Sequence, residues 1–232
     1  MNKNLAALKA AFPFTLPVLA GYIFMGAAFG MLLQSRGWGV FWVLGMSLFI
    51  YAGSLQFVAV GILAGGFRPV EAVLIALMVN ARHIFYGLPL LGEFGGMGKE
   101  RAYMIFSLTD ETFSLLCSVK PPVGAEKNSF YFCIAALNHF YWITGSLAGF
   151  FAGAAVEMKL KGLDFVMTAL FTVIFLKQWE RGAGRKPALL GVGAGIVCRC
   201  VFGAQWFIIP AMGLILLVLT LARFFSARGE KA

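Results

Sequence analysis

Long apolar runs separated by short polar loops dominate the chain. Eight such segments can be marked, at about 13–34, 39–65, 69–92, 102–118, 129–156, 163–178, 187–203 and 205–225. None shows the strict alternation of a half-buried strand. Lipid offers no partner to a free backbone group, so each run predicts a helix that satisfies its own N–H and C=O groups. The expected fold is an all-α integral membrane protein of about eight transmembrane helices, a single polytopic domain over residues 1–232. The opening "MNKNLAALKAAF" reads like the start of a signal peptide. The run after it is too long for a signal h-region and lacks a small-x-small cleavage site, which predicts an uncleaved first span.

The loops set an expected orientation. With eight full spans and the N-terminus inside, the inner loops gather most basic residues, among them Lys3, Lys9, Lys120, Lys127, Arg181 and Arg185. The outer loops hold Arg36, Lys99, Arg101, Lys159 and Lys161. That bias predicts both termini in the cytoplasm.

A short internal echo adds a second expectation. "YAGSLQF" in the second segment and "WITGSLAGF" in the fifth share Gly-Ser-Leu, at Gly53–Leu55 and Gly145–Leu147. An offset of three spans relates two units of opposite orientation, at about 13–92 and 102–178 with 187–225 added. Inverted three-helix repeats of this kind, with broken helices at matching positions, place a substrate site near the midplane. A Gly-Ser pair inside an apolar helix favours a kink; the bland alternative is a notch for close packing, which also accounts for "GVGAG" in the seventh segment.

Composition sharpens the class. Hydrophobic residues make up 60% of the 232 and charged residues 12%, with a mean hydropathy of +0.85; soluble domains are about 25% charged. The net charge of +9 sits in loops between apolar runs, where topology and anionic lipid account for it better than nucleic acid does. The four cysteines lie in apolar context without metal-ligand spacing and read as small buried hydrophobes.

The polar residues inside the runs carry the chemistry. "LMVNARHIFYG" puts Asn80, Arg82 and His83 in the third segment. An intramembrane charge is expensive and marks a cavity, a partner or a pathway. Asp110 and Glu111 in the fourth segment are the candidate partners for Arg82; with Ser107 and Ser114 they make a polar stripe at helical spacing. Gln56 and Ser54 in the second segment and Asn138 and His139 in the fifth extend the set. A structural ion pair is the bland alternative, and a lone histidine is more often a satisfied core residue than a proton relay. No metal spacing, nucleophile frame or phosphate loop occurs, so neither enzyme chemistry nor a cofactor is called for.

"PVLAGYIFMGAAFG", "SLFIYAGSLQFVAVGIL", "ALMVNARHIFYGLPL" and "SLTDETFSLL" resemble the AzlC family, the large subunits of branched-chain amino-acid exporters. The resemblance is strong over the first half and weaker through "YWITGSLAGF" and "LDFVMTALFTVIF". It implies a secondary transporter in the bacterial cytoplasmic membrane. It also implies export of valine, isoleucine and leucine, extending to methionine, and a small membrane partner of the AzlD type. On physical grounds, a zwitterion needs an anion site and a cation site. Arg82 or a broken helix near Gly53–Ser54 offers the first, and Asp110 or Glu111 the second. Uphill export without a nucleotide motif points to the proton gradient, with Asp110 or Glu111 as carrier. Two other readings stand beside this one: a transporter or channel for another small solute, and a non-transporting membrane subunit.

Overall fold

The fold is that of a computed structural model. It describes residues 3–66, 69–90, 92–123, 125–156, 165, 169, 172, 175, 176, 179 and 185–229; some helical side chains, that of Arg82 among them, lie outside the description. The described secondary structure is helical throughout. Two compact units divide the chain, Met1–Asp164 and Phe165–Ala232.

The first unit is built on two long helices. α1 (Lys3–Ser35) and α7 (Lys127–Val156) have 33 and 30 residues, about 50 and 45 Å of helix. They lie side by side and run the same way. Thr15 meets Tyr141, Tyr22 meets Trp142, Gly26 meets Gly145, and Met31 meets Gly153, so residue numbers rise together on both. Glycines make the approach close. A β-carbon on Gly26 would come 2.9 Å from the Ser146 nitrogen, and one on Gly145 2.8 Å from the Tyr22 carbonyl oxygen. On Gly30 or Gly149 it would collide with the Ser146 or Ala27 backbone. The four-residue spacing of Gly26 and Gly30, and of Gly145, Gly149 and Gly153, puts each set on one helix face.

Between these helices the chain forms two half-depth hairpins and one long helix. α2 (Val40–Phe49) and α3 (Gly53–Ala64) have 10 and 12 residues, about 15 and 18 Å, half of a 30 Å hydrocarbon core. α2 starts just past the end of α1. It descends until the Ser47 carbonyl meets His139 and Tyr51 stacks on the same ring. Tyr51 has φ +40°, and this left-handed residue turns the chain. α3 then leads back toward the start of α4 (Pro69–Leu90). The 22 residues of α4, about 33 Å long, end with Leu90 in a core shared with Ala11, Phe94 and Phe130, at the N-terminal ends of α1 and α7.

The second hairpin enters from that same end. Glu93 pairs with Lys127, and Asn128 donates to the Gly96 carbonyl at 3.2 Å, which fixes loop 92–99 beside the start of α7. α5 (Glu100–Phe106) rises past Phe132 to His139, and α6 (Asp110–Ser118) returns from Asn138 to Tyr131. With 7 and 9 residues, about 10 and 13 Å, neither arm crosses a bilayer.

Three expectations need correction. The fourth segment is a re-entrant pair, not one span, and loop 93–101 lies on the N-terminal face, not the opposite one. The proposed stripe of Ser107, Asp110, Glu111 and Ser114 is interrupted, because Ser107 ends α5 and Asp110 begins α6. The helix breaks at Gly53–Ser54 but not at Gly145–Ser146, where α7 is continuous.

In the second unit, α8 (Arg185–Trp206) packs on α9 (Ile208–Gly229), close to the two segments expected there. Gly203, at φ 74° and ψ 175°, bends α8 near its end. Gly191, Gly193 and Gly195 face open space, so they serve no close packing among the described residues. By length and hydropathy, Leu5–Ser35 and Arg185–Gly203 qualify as membrane spans among the described residues. The four cysteines are free thiols, Cys133 and Cys198 partly or wholly buried and Cys117 and Cys200 exposed.

Candidate functional site

The two hairpin tips meet beside α1 and α7. Thr109 is the N-cap of α6, and its hydroxyl accepts from the Thr112 nitrogen at 3.2 Å. The same hydroxyl lies 2.5 Å from that of Tyr22 on α1. Tyr22 donates to Glu111 Oε2 at 2.9 Å, and Asn138 Nδ2 donates to the Thr112 hydroxyl at 3.0 Å. A capped helix end, a tyrosine, a carboxylate and an amide thus form one buried chain from α1 to α7.

The first tip joins through its rings. Tyr51 stacks on His139 at 4.0 Å and approaches Phe106 of the other hairpin at 6.2 Å. His139 is held at both nitrogens, Nε2 at 3.0 Å from the Ser47 carbonyl and Nδ1 at 3.1 Å from the Tyr103 hydroxyl. A carbonyl only accepts, so Nε2 carries the proton. A neutral ring then takes the Tyr103 proton at Nδ1. Trp142 stands over Gly53, where a β-carbon would come 2.9 Å from the ring, and packs edge-on against Tyr22. Phe29 and Phe57 close that side.

Several buried polar atoms around these tips have no hydrogen-bond partner among the described residues. They are Ser47 Oγ, the Tyr51 hydroxyl, both amide atoms of Gln56, Asn138 Oδ1 and Trp142 Nε1. Gln56 is 0% exposed. An unsatisfied buried group costs about 1–3 kcal/mol.

Each residue expected from the sequence can now be located. Ser54 and Gln56 sit in the first turns of α3, Glu111 in the first turn of α6, and Asn138 opposite it on α7. Asp110 opens α6. Asn80 and His83 lie on α4, where His83 Nδ1 is 3.2 Å from the Asn80 carbonyl. They approach the second hairpin through Tyr86, which packs on His83 and stacks on Phe113 at 4.9 Å. The Arg82 pairing lies outside the described residues. Tyr22, Tyr51, Thr109, Thr112 and Trp142 were not expected. "SLTD" carried a signal for one of them: Thr followed by two acids is the signature of a helix N-terminus. Among the described residues no group of three His, Cys, Asp or Glu is placed to hold a metal.

Residues 17–156, which contain both hairpins, the whole of α7 and α1 from residue 17 on, match the AzlC protein family. The chain belongs to the AzlC family. It is 44% identical over 226 residues to the "Branched-chain amino acid transport protein AzlC" of Bacillus subtilis, covering 96% of this chain and 89% of that protein. It is 42% identical over 223 residues to an uncharacterized membrane protein of Helicobacter pylori strain J99, covering 96% and 98%. "Inner membrane protein YgaZ" of Escherichia coli is 29% identical over 209 residues, covering 81% and 85%. No solved structure matches the chain. Membership of AzlC confirms the family read from the sequence, and the relatives' names agree with a membrane protein.

Proposed function

We propose that this AzlC chain carries branched-chain amino acids across the bacterial cytoplasmic membrane, past the place where its hairpin tips meet. The observation that carries the reading is the cluster of unpartnered buried polar atoms where two half-depth hairpins meet. Re-entrant ends facing each other near mid-bilayer shorten the barrier from each side and offer backbone groups to a solute. The apolar walls, Phe29, Phe57 and Trp142, suit an aliphatic side chain. Shape alone discriminates by about 1–3 kcal/mol per methylene, so valine, leucine, isoleucine and methionine are all accepted.

Export, a small AzlD-type partner subunit and coupling to the proton gradient complete the proposal. Glu111 or Asp110 is the carrier, and Glu111 accepts a hydrogen bond from Tyr22 of α1. An inverted repeat is also proposed, with units other than the 13–92 and 102–178 expected from the sequence: a long helix followed by a hairpin entering from that helix's far end occurs as α1 with α2–α3 and again as α4 with α5–α6. Transport of another small solute is the second reading, favoured by the hydroxyl-rich network. The deciding measurement is amino-acid efflux from loaded cells expressing this chain with and without the partner. Faster loss of valine, leucine and isoleucine supports the proposal; unchanged efflux in both arrangements defeats it. Dissipating the proton gradient should stop uphill export, and continued export would defeat the coupling.

A further inference from the structure

We infer that His139 is a positioning residue that holds both hairpin tips to α7 as one body, so that neither tip moves without loosening the other. The inference goes beyond the transport reading and stands without it. It begins with the way α2 ends. A helix leaves its last four carbonyls without ladder partners, and at half depth there is no bulk water to serve them. In a continuing helix the Tyr51 N–H would serve the Ser47 carbonyl, but it goes to Met46 at 3.2 Å. Ser47 is 0% exposed, and its carbonyl accepts from His139 Nε2 at 3.0 Å instead. A side chain of α7 thus completes the end of α2.

The same ring holds the second hairpin. Nε2 carries the proton, so Nδ1 accepts from the Tyr103 hydroxyl of α5 at 3.1 Å. Three aromatic rings surround the imidazole. Tyr51 of the first tip lies at 4.0 Å, and Phe106 and Tyr103 of the second hairpin lie at 5.9 and 6.0 Å. Tyr51 is left-handed, a conformation that a tyrosine keeps only where its surroundings over-determine it. The stack on His139 is one such constraint. His139 itself is buried on α7, the helix that the glycine seam sets against α1. One imidazole on this frame is therefore a shared anchor for both re-entrant elements. A proton relay is the other use of such a ring. A relay needs an acceptor beyond Nε2 that can take a proton, and a backbone carbonyl is not one. The titratable side chains that meet the ring are Tyr51 and Tyr103.

The test is hydrogen–deuterium exchange of the full chain in detergent, read by mass spectrometry over Met46–Ala52 and over Tyr103–Phe113. Tyr103→Phe keeps its ring and removes only the hydroxyl at Nδ1. Exchange should quicken about fivefold in its own stretch and measurably over Met46–Ala52 as well. His139→Phe should quicken both stretches about tenfold or more, and adding Tyr103→Phe to it should change Met46–Ala52 no further. His139→Gln, whose amide can donate to Ser47 and accept from Tyr103, should restore both stretches to within about twofold of the natural chain. The chain has two histidines, so 15N-histidine spectra of His83→Gln report on His139 by itself; a proton on Nε2 and a bare Nδ1 are expected. Tyr103→Phe acting on its own hairpin only, or still acting on Met46–Ala52 after His139→Phe, would overturn the joint. A protonated Nδ1 would overturn it as well. The Tyr103→Phe comparison keeps the natural histidine, so it decides the matter even where His139→Phe does not accumulate.

Discussion

Thr109 shows how much one hydroxyl can organise. It caps α6, touches Tyr22 and sits beside Thr112, which in turn accepts from Asn138. Thr109→Ala removes the cap, at about 0.5–2 kcal/mol, or about 1–8 °C of melting temperature for a chain of this size. Tyr22→Phe keeps the ring packed on Trp142 and removes only the hydroxyl that meets Glu111 and Thr109. Its transport should fall at least tenfold while its melting temperature shifts less than that of Thr109→Ala; equal activity in the two forms would remove Tyr22 from the mechanism. The sequence made Gln56 and Asn138 visible because an amide in an apolar run has no cheap resting place. Tyr22 and Thr109 were not visible in this way. A tyrosine or threonine fits many membrane environments, and only the partner residues, Glu111 and Thr112, reveal its use.

At the scale of elements, the same dipeptide does two different jobs. Gly53–Ser54 begins a helix after a break, and Gly145–Ser146 sits inside an unbroken one. Nothing adjacent in sequence separates the cases. The decision is made by α1, more than a hundred residues away, whose Tyr22 and Ile23 backbone lies against Gly145. Helix existence and approximate bounds were readable from hydropathy for the first, third, fifth, seventh and eighth segments, while the sixth, 163–178, lies largely outside the described residues. Whether a half-length helix crosses or turns back was not, because both choices bury the same apolar residues. The glycine seam itself gives a sharp contrast. Gly149→Leu should remove the protein from the membrane fraction, since a side chain there meets the Ala27 backbone. Gly45→Ala, where nothing lies within 4 Å, should accumulate as the natural chain does. Quantitative immunoblotting of membranes compares the two, and normal accumulation of Gly149→Leu would mean that α1 and α7 are not in close contact.

For the first unit as a whole, the hairpins change which residues share a face. Loop 92–99, the α6–α7 connection and the start of α1 come together at one end, which collects Lys3, Lys9, Lys99, Arg101, Lys120 and Lys127. The described lysines and arginines at the opposite end reduce to Arg36. For the described residues of this unit the positive-inside rule favours a cytoplasmic N-terminus. The two topologies disagree at defined positions. Eight full spans put Gly37 and Gly66 on opposite sides of the membrane and Gly96 and Val123 on opposite sides as well. The hairpins put Gly37 and Gly66 together on one side and Gly96 and Val123 together on the other. Single cysteines at these four positions, in a background whose native Cys117, Cys133, Cys198 and Cys200 are replaced, can be labelled in intact cells with a membrane-impermeant maleimide. Labels at Gly37→Cys and Gly66→Cys, with Gly96→Cys and Val123→Cys protected until the membrane is opened, are the expected result. Protection of Gly66→Cys together with labelling of Gly96→Cys would restore two full crossings. The hairpin tips would then no longer face each other, and the transport site proposed between them would lose its basis.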